Sequence, residues 1–153
     1  MTEVHLFNKV LLLEDDSSHA LLIRRALKLY AVDIVHVAAV AEATSYLSKE
    51  KVDLVISDLN LPDSRGISHI EQLRTLCRGA PIVVLTSSNS IHDAVAAMRL
   101  GARDFIIKNF DDSFSEVLGF SLSRIFSSVQ LEQEKRKLQH EMEAFSVAIE
   151  SSQ

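Results

Sequence analysis

Val52-Asp53-Leu54-Val55-Ile56-Ser57-Asp58-Leu59-Asn60-Leu61-Pro62 is the stretch whose reading decides the fold. A short apolar run rich in β-branched residues is cut off by one carboxylate, Asp58, and the turn signal Pro62-Asp63 follows closely. Such a run reads as a strand buried on both faces, the signature of a parallel sheet. Asp58 then stands at the strand's C-terminal edge, where open α/β sheets collect their ligands. From this stretch alone Asp58 has two readings, a chemical site or the residue that starts a turn.

Working outward, the same pattern recurs. KVLLL (residues 9–13) is an apolar run that ends in Glu14-Asp15-Asp16. Ser17-Ser18 is read as the cap of a helix whose apolar stripe is Leu21, Leu22, Ala26 and Leu29. A second strand is expected over residues 33–37 and a helix over 40–49. Beyond Gly66, the residues Ile67, Ile70, Leu73 and Leu76 repeat at helical spacing, and Gly79 ends that helix. Residues 81–86 (PIVVLT) form a fourth strand with a polar end. Ser90 caps a helix carrying Ala94, Val95, Ala97 and Met98, which Gly101 stops. Residues 104–108 (DFIIK) form the fifth strand, and a last helix starts near Asp112. Strands alternating with helices through short connections imply a doubly wound parallel sheet with helices on both faces.

Composition narrows the function classes. At 153 residues the chain holds one domain with some excess, and its formal net charge of -5 argues against nucleic acid as a direct partner. The lone cysteine, Cys77, lies on an apolar helical side and is expected as a buried thiol. No apolar run reaches membrane-spanning length and no signal peptide is recognisable, so a cytoplasmic location is expected.

The final segment differs in character. QLEQEKRKLQH (residues 130–140) is almost all charged or amide. Leu131, Leu138 and Phe145 recur every seven residues, with Met142 and Ile149 on a second line, while Ser128 and Lys135 interrupt the pattern. Two readings stay open: a weak coiled coil that pairs two copies, or a solvated extension of the last helix. The expected organisation is a domain over residues 1–129 and a helical extension over 130–153.

Four strand ends carry reactive residue types: Glu14-Asp15, Asp58, Thr86 and Lys108. In a parallel doubly wound sheet these ends share one rim. Clustered carboxylates repel and raise one another's pKa unless a cation joins them. Hard oxygen ligands suit Mg²⁺, with Mn²⁺ as the alternative. Lys108 and the Thr86 hydroxyl are expected opposite the metal, so that the site complements a phosphoryl group. A carboxylate can itself be the nucleophile, forming an acyl phosphate.

On VLLLEDD (residues 10–16), DLVISDLNLPDSRG (53–66), PIVVLTS (81–87) and GARDFIIK (101–108), the sequence resembles the receiver domain of two-component response regulators. The resemblance implies a flavodoxin-like fold with strand order 2-1-3-4-5. Residue by residue, it implies Asp58 as phosphoacceptor and Glu14 and Asp15 as metal-binding acids, with the Asn60 backbone carbonyl as a further ligand. Glu14 and Asp15 match the family's acidic pair better than Asp16 does. The resemblance further implies Thr86 as switch hydroxyl, Phe105 as the aromatic that moves with it, and Lys108 as partner of the phosphoryl oxygens. Its partners would be a histidine kinase or phosphotransfer protein. Two departures stand out. Asn109 follows Lys108 where the family has proline in a cis peptide, so this bond is either trans with a reshaped loop or cis under strain. Ser64-Arg65 precede Gly66 where the family often has methionine two residues earlier than the glycine.

The expected function is a phosphorylation-dependent switch, not an enzyme beyond its own phosphoryl transfer and autodephosphorylation. Two rival readings stand beside it. A haloacid-dehalogenase-like phosphatase would want a second acid at position 60, which is Asn. A pseudo-receiver would not need the complete set of Glu14, Asp15, Asp58, Thr86 and Lys108. The segment EMEAFSVAIESSQ (141–153) is weakly similar to the lead-in of PAS sensor domains, and a downstream kinase or cyclic-nucleotide synthase is equally compatible.

Overall fold

Each apolar run pairs edge to edge with another, because an isolated strand leaves its backbone N–H and C=O groups unmatched. In the computed structural model, which describes residues 5–151, the strands are β1 (Phe7–Leu13), β2 (Ala31–Val37), β3 (Leu54–Ser57), β4 (Asn60–Leu61), β5 (Ser64–Arg65), β6 (Ile82–Thr86) and β7 (Asp104–Ile107). The helices are α1 (Ser17–Leu27), α2 (Val40–Leu47), α3 (Ser68–Leu76), α4 (Ile91–Arg99) and α5 (Phe114–Ser151). The extreme ends of the two expected segments, residues 1–4 and 152–153, lie outside the described residues.

Five strands form one sheet in the order β2-β1-β3-β6-β7, every pair parallel. With the antiparallel hairpin β4–β5 left aside, this is the expected 2-1-3-4-5 order of a flavodoxin-like fold. Successive side chains of β1 divide between two cores, as the two-residue period of a strand demands. Val10 and Leu12 join Leu54, Ile56, Val83 and Leu85 under α1 and α5, while Leu11 and Leu13 join Val55 and Ile82 under α2 and α3. Cys77 is buried in the second core, as expected.

Helix α1 corrects the expected stripe. It buries Ala20, Ile23, Ala26 and Leu27, whereas Leu21, Leu22 and Leu29 are exposed. Of the expected four only Ala26 faces the sheet. The physical reason lies in what else each face carries: seating Leu22 and Leu29 would bring Arg25 under the sheet, and an unpaired buried guanidinium is costly. The cap is also corrected. Asp16, not Ser17 or Ser18, caps α1, its carboxylate accepting from the N–H groups of Ser18 and His19 at 2.9 and 3.1 Å. Ser90 caps α4 as expected, but Val95 and Met98 are exposed and only Ala97 is buried. Helix α2 begins at a residue with no capping side chain, Ala39. Asp63, from the turn of the β4–β5 hairpin, takes over that duty by accepting from Val40 N and Ala41 N, both at 2.9 Å.

Helix α5 runs unbroken through residue 129 for 38 residues. Its first turns bury Phe114, Leu118, Leu122 and Ile125 against the sheet. Gly119 sits against α1's exit: a Cβ there would run into the Tyr30 side chain. Two polar ties hold the helix further along. Asp104 accepts from Ser121 Oγ at 2.6 Å and Arg124 at 2.9 Å, and Arg103 grips Glu132 through two bonds of 2.9 and 2.8 Å. Beyond that fork Leu138, Met142, Phe145 and Ile149 are exposed. Among the described residues no helix is long and apolar enough to cross a membrane.

Candidate functional site

Register decides which strand ends become neighbours. Leu13 lies beside Ser57, and Ser57 beside Val84, so the next residues, Glu14 and Asp58, come out side by side on one edge. The Asp58 N–H donates to Leu13 O at 3.0 Å and the Glu14 N–H to Val37 O at 3.0 Å, extending both ladders by one residue. Thr86 lies opposite Ile107, and the Lys108 N–H donates to Thr86 O at 2.6 Å. All four charged or polar ends predicted for one rim are therefore on it.

Glu14 and Asp58 are buried, at 1% and 5% exposure, while Asp15 is exposed. The three carboxylates offer oxygens that all lie within 4.8 Å of one another. Lys108 is not on the far side from the acids, as the sequence suggested. Its Nζ lies between two of them, 2.7 Å from Asp58 Oδ2 and 2.6 Å from Glu14 Oε1. The correction follows from burial: anions held away from water draw in the nearest cation. No cis peptide occurs among the described residues, so the Lys108–Asn109 bond is trans, and the lysine still reaches both acids.

Asp58 Oδ1 accepts from Leu59 N at 2.7 Å and from Asn60 N at 3.3 Å. Asn60 itself is exposed on β4, paired with Arg65. Thr86 is fully buried; its hydroxyl accepts from Ser88 N at 3.4 Å and lies near enough to the Asp58 carboxylate to favour its ionised form. Phe105 lies opposite Val84 on β7, half-buried in a cluster with Leu59, Ile70 and Ala97.

The two buried acids separate electrostatically. Burial, reinforced by the charge on Asp58, pushes Glu14 up to about 7 against the pull of Lys108. Burial also opposes ionisation of Asp58, yet the Lys108 ammonium, the Thr86 hydroxyl and the Asn60 N–H together hold it below the usual carboxylate range. Lys108 is raised despite burial, because both carboxylates favour its charged form. Asp58 is thus the more acidic of the two buried carboxyls, and Glu14 the one that burial holds closer to its neutral form.

Three histidines escaped the sequence reading. His19, two residues into α1, places Nδ1 3.1 Å from Lys108 Nζ and leans on Phe110 with ring centroids 5.1 Å apart. His36 meets the Glu14 carbonyl at 2.7 Å. His69 is 2% exposed, and burial lowers its pKa. A signal for it existed: residues 69, 73 and 76 share a helical face, so the ring had to point inward.

Residues 10–114 match the profile of the response regulator receiver domain. This chain belongs to that family. Among curated receiver-containing relatives, the transcriptional regulatory protein PrrA of Mycobacterium bovis is 30% identical over 102 residues, covering 67% of this chain and 44% of PrrA. The transcriptional regulatory protein GlrR of Escherichia coli is 35% identical over 102 residues, covering 67% of this chain and 23% of GlrR. The chain thus matches less than half the length of these relatives. Among solved structures, a response regulator from Burkholderia pseudomallei superposes with a TM-score of 0.66 at 30% identity, covering 82% of this chain and 72% of that one; it was crystallised with a phosphorylated aspartic acid, a calcium ion and citrate. The non-phosphorylated HemR receiver domain from Leptospira biflexa also scores 0.66, at 28% identity, covering 78% and 94%. Receiver domains are signalling domains of two-component systems, and family membership decides against the phosphatase alternative.

Proposed function

We propose that this receiver domain is a phosphorylation-biased switch in which Asp58 takes a phosphoryl group from the phosphohistidine of a kinase or phosphotransfer protein. The observation that carries the proposal is a nearly buried Asp58 carboxylate with Lys108 Nζ at 2.7 Å, beside two further acids. An Asp58 oxygen attacks phosphorus, the P–N bond breaks, and the electron pair returns to the donor imidazole. Lys108 then follows the negative charge from the carboxylate onto the phosphoryl oxygens. Glu14, Asp15, Asp58 and the Asn60 carbonyl would hold Mg²⁺, or Mn²⁺ in its place, whose chemistry is to neutralise those oxygens. Carboxylates clustered this closely, one of them exposed to solvent, suit a hard cation that keeps several waters. Water later hydrolyses the acyl phosphate and restores the carboxylate.

Thr86 turns its hydroxyl toward the new phosphoryl group, and Phe105 moves into the room it leaves, altering the face made by β7, α4 and α5. Residues 1–129 are proposed as the receiver and 130–153 as a helical linker that pairs with a second copy through Leu131, Leu138 and Phe145. The transcriptional role named for its relatives would reside outside the matched segment, so this domain contacts no nucleic acid itself. A cytoplasmic location accords with the absence of a membrane-crossing helix among the described residues. The test is beryllofluoride with Mg²⁺, followed by NMR, and acetyl phosphate, followed by intact mass. An adduct is expected on the natural chain and none on Asp58→Asn. An undiminished adduct on Asp58→Asn would refute the assignment.

A further inference from the structure

We propose that His69 is a positioning residue for Asp58, acting through the peptide group between residues 58 and 59. The imidazole projects from α3 under the end of β3. Nε2 lies 3.1 Å from the Asp58 carbonyl oxygen and 3.0 Å from Ser57 Oγ, and Nδ1 lies 2.9 Å from Ser64 Oγ on β5. A carbonyl can only accept, so Nε2 carries the hydrogen and Nδ1 accepts from the Ser64 hydroxyl. The Ser57 hydroxyl donates to the same Asp58 carbonyl at 2.8 Å. That carbonyl is therefore held by two donors inside the protein, with Ser57 fully buried and His69 nearly so.

A trans peptide is planar and points its C=O and N–H in opposite directions. Anchoring the Asp58 C=O on the His69 side aims the Leu59 N–H at the other side, where it meets Asp58 Oδ1 at 2.7 Å. The histidine thereby sets the direction of the hydrogen bond that holds the acceptor carboxylate, without touching the carboxylate. Through Ser64 the same ring also grips the β4–β5 hairpin, in which Leu61 pairs with Ser64 and Asn60 with Arg65. One buried side chain thus links the peptide group of the acceptor to the hairpin carrying the carbonyl proposed for the metal. An aliphatic residue would fill the same space and leave this carbonyl with the Ser57 hydroxyl alone to hold it.

The inference rests on Asp58 as phosphoacceptor, so the experiment reads the strut and the chemistry separately. On the full chain, the Leu59 amide proton is followed by ¹⁵N-edited NMR and phosphoryl uptake by intact mass with acetyl phosphate and Mg²⁺. His69→Leu is expected to move the Leu59 amide proton upfield and to slow uptake about tenfold, less than the roughly hundredfold that a 1 Å misplacement of a reacting group costs. His69→Gln, which returns an N–H donor to the ε position, is expected to restore both, with uptake within about threefold of the natural chain. Ser64→Ala, which leaves the ring in place but removes its outer partner, is expected to shift the Leu59 resonance in the same direction by a smaller amount. A folded His69→Leu variant with an unmoved Leu59 amide and undiminished uptake would overturn the proposal. So would a glutamine variant as slow as the leucine one. If His69→Leu does not fold, an unmoved Leu59 amide in Ser64→Ala overturns it instead. A Leu59 shift in variants of a chain that never takes a phosphoryl group would refute the acceptor role and leave the strut standing.

Discussion

Glu14 is a buried acid that the fold tolerates at a cost, and Glu14→Gln measures that cost. Its carboxyl is pushed from the ordinary 4.5 to about 7, chiefly by burial and then by the charge of Asp58, with Lys108 working in the other direction. His19 and the exposed Asp15 complete the polar surroundings. Because the folded-state value is the higher one, the folded chain keeps this proton between pH 4.5 and about 7 while the unfolded chain has lost it. The natural chain therefore loses stability relative to glutamine as pH rises through that window. At about 1.36 kcal/mol per pH unit of separation, the full difference is about 3 kcal/mol, reached above pH 7 and absent below pH 4.5. Glutamine keeps an amide oxygen for Lys108 and removes the charge. Urea unfolding at intervals from pH 4.5 to 8.5 is the assay. Addition of Mg²⁺ should then close most of that gap: a ligand at about a hundred times its Kd stabilises the natural chain by about 2.7 kcal/mol, and the variant gains much less. Equal stabilities at pH 8, or an advantage for the variant already complete at pH 4.5, would refute this account of Glu14.

Three further outcomes are expected. Asp63→Ala removes the distant cap of α2, so amide exchange at Val40 and Ala41 should accelerate several-fold while acetyl phosphate uptake is unchanged; unaltered exchange would show that the cap is dispensable. Gly119→Ala should destabilise the natural chain by roughly 1–3 kcal/mol, because Tyr30 must move, but stabilise a Tyr30→Ala background by roughly 0.5–1 kcal/mol through better helix propensity. A double-mutant cycle by denaturant unfolding reads that reversal of sign, and the same sign in both backgrounds would contradict it. Finally, the natural chain should sediment as a dimer in the presence of beryllofluoride and Mg²⁺, and the variant with Leu131→Glu and Leu138→Glu as a monomer; a natural chain that is monomeric in every condition would remove the pairing reading.

Local pattern was enough for a great deal of this protein. Alternating apolar runs and helical stripes have periods that depend only on near neighbours, so the five sheet strands, their parallel sense and the rim carrying Glu14, Asp58, Thr86 and Lys108 could all be read along the chain. The face of α1 could not, since its sequence carries two apolar stripes and only the sheet, by refusing Arg25, chose between them. The same holds for the chemistry of the rim. That Lys108 would lie between acids 50 and 94 positions away, that Glu14 would hold a proton near neutrality while Asp58 stays ionised, and that Asp63 would cap a helix 23 residues earlier all follow from register and burial. The stretch around Asp58 by itself left that residue two readings, and its neighbours in space, His69 beneath and Lys108 beside it, determine how the carboxylate is held and charged. Charge and hydrogen bonding act over a few ångströms, and only the folded chain decides which residues come within that reach.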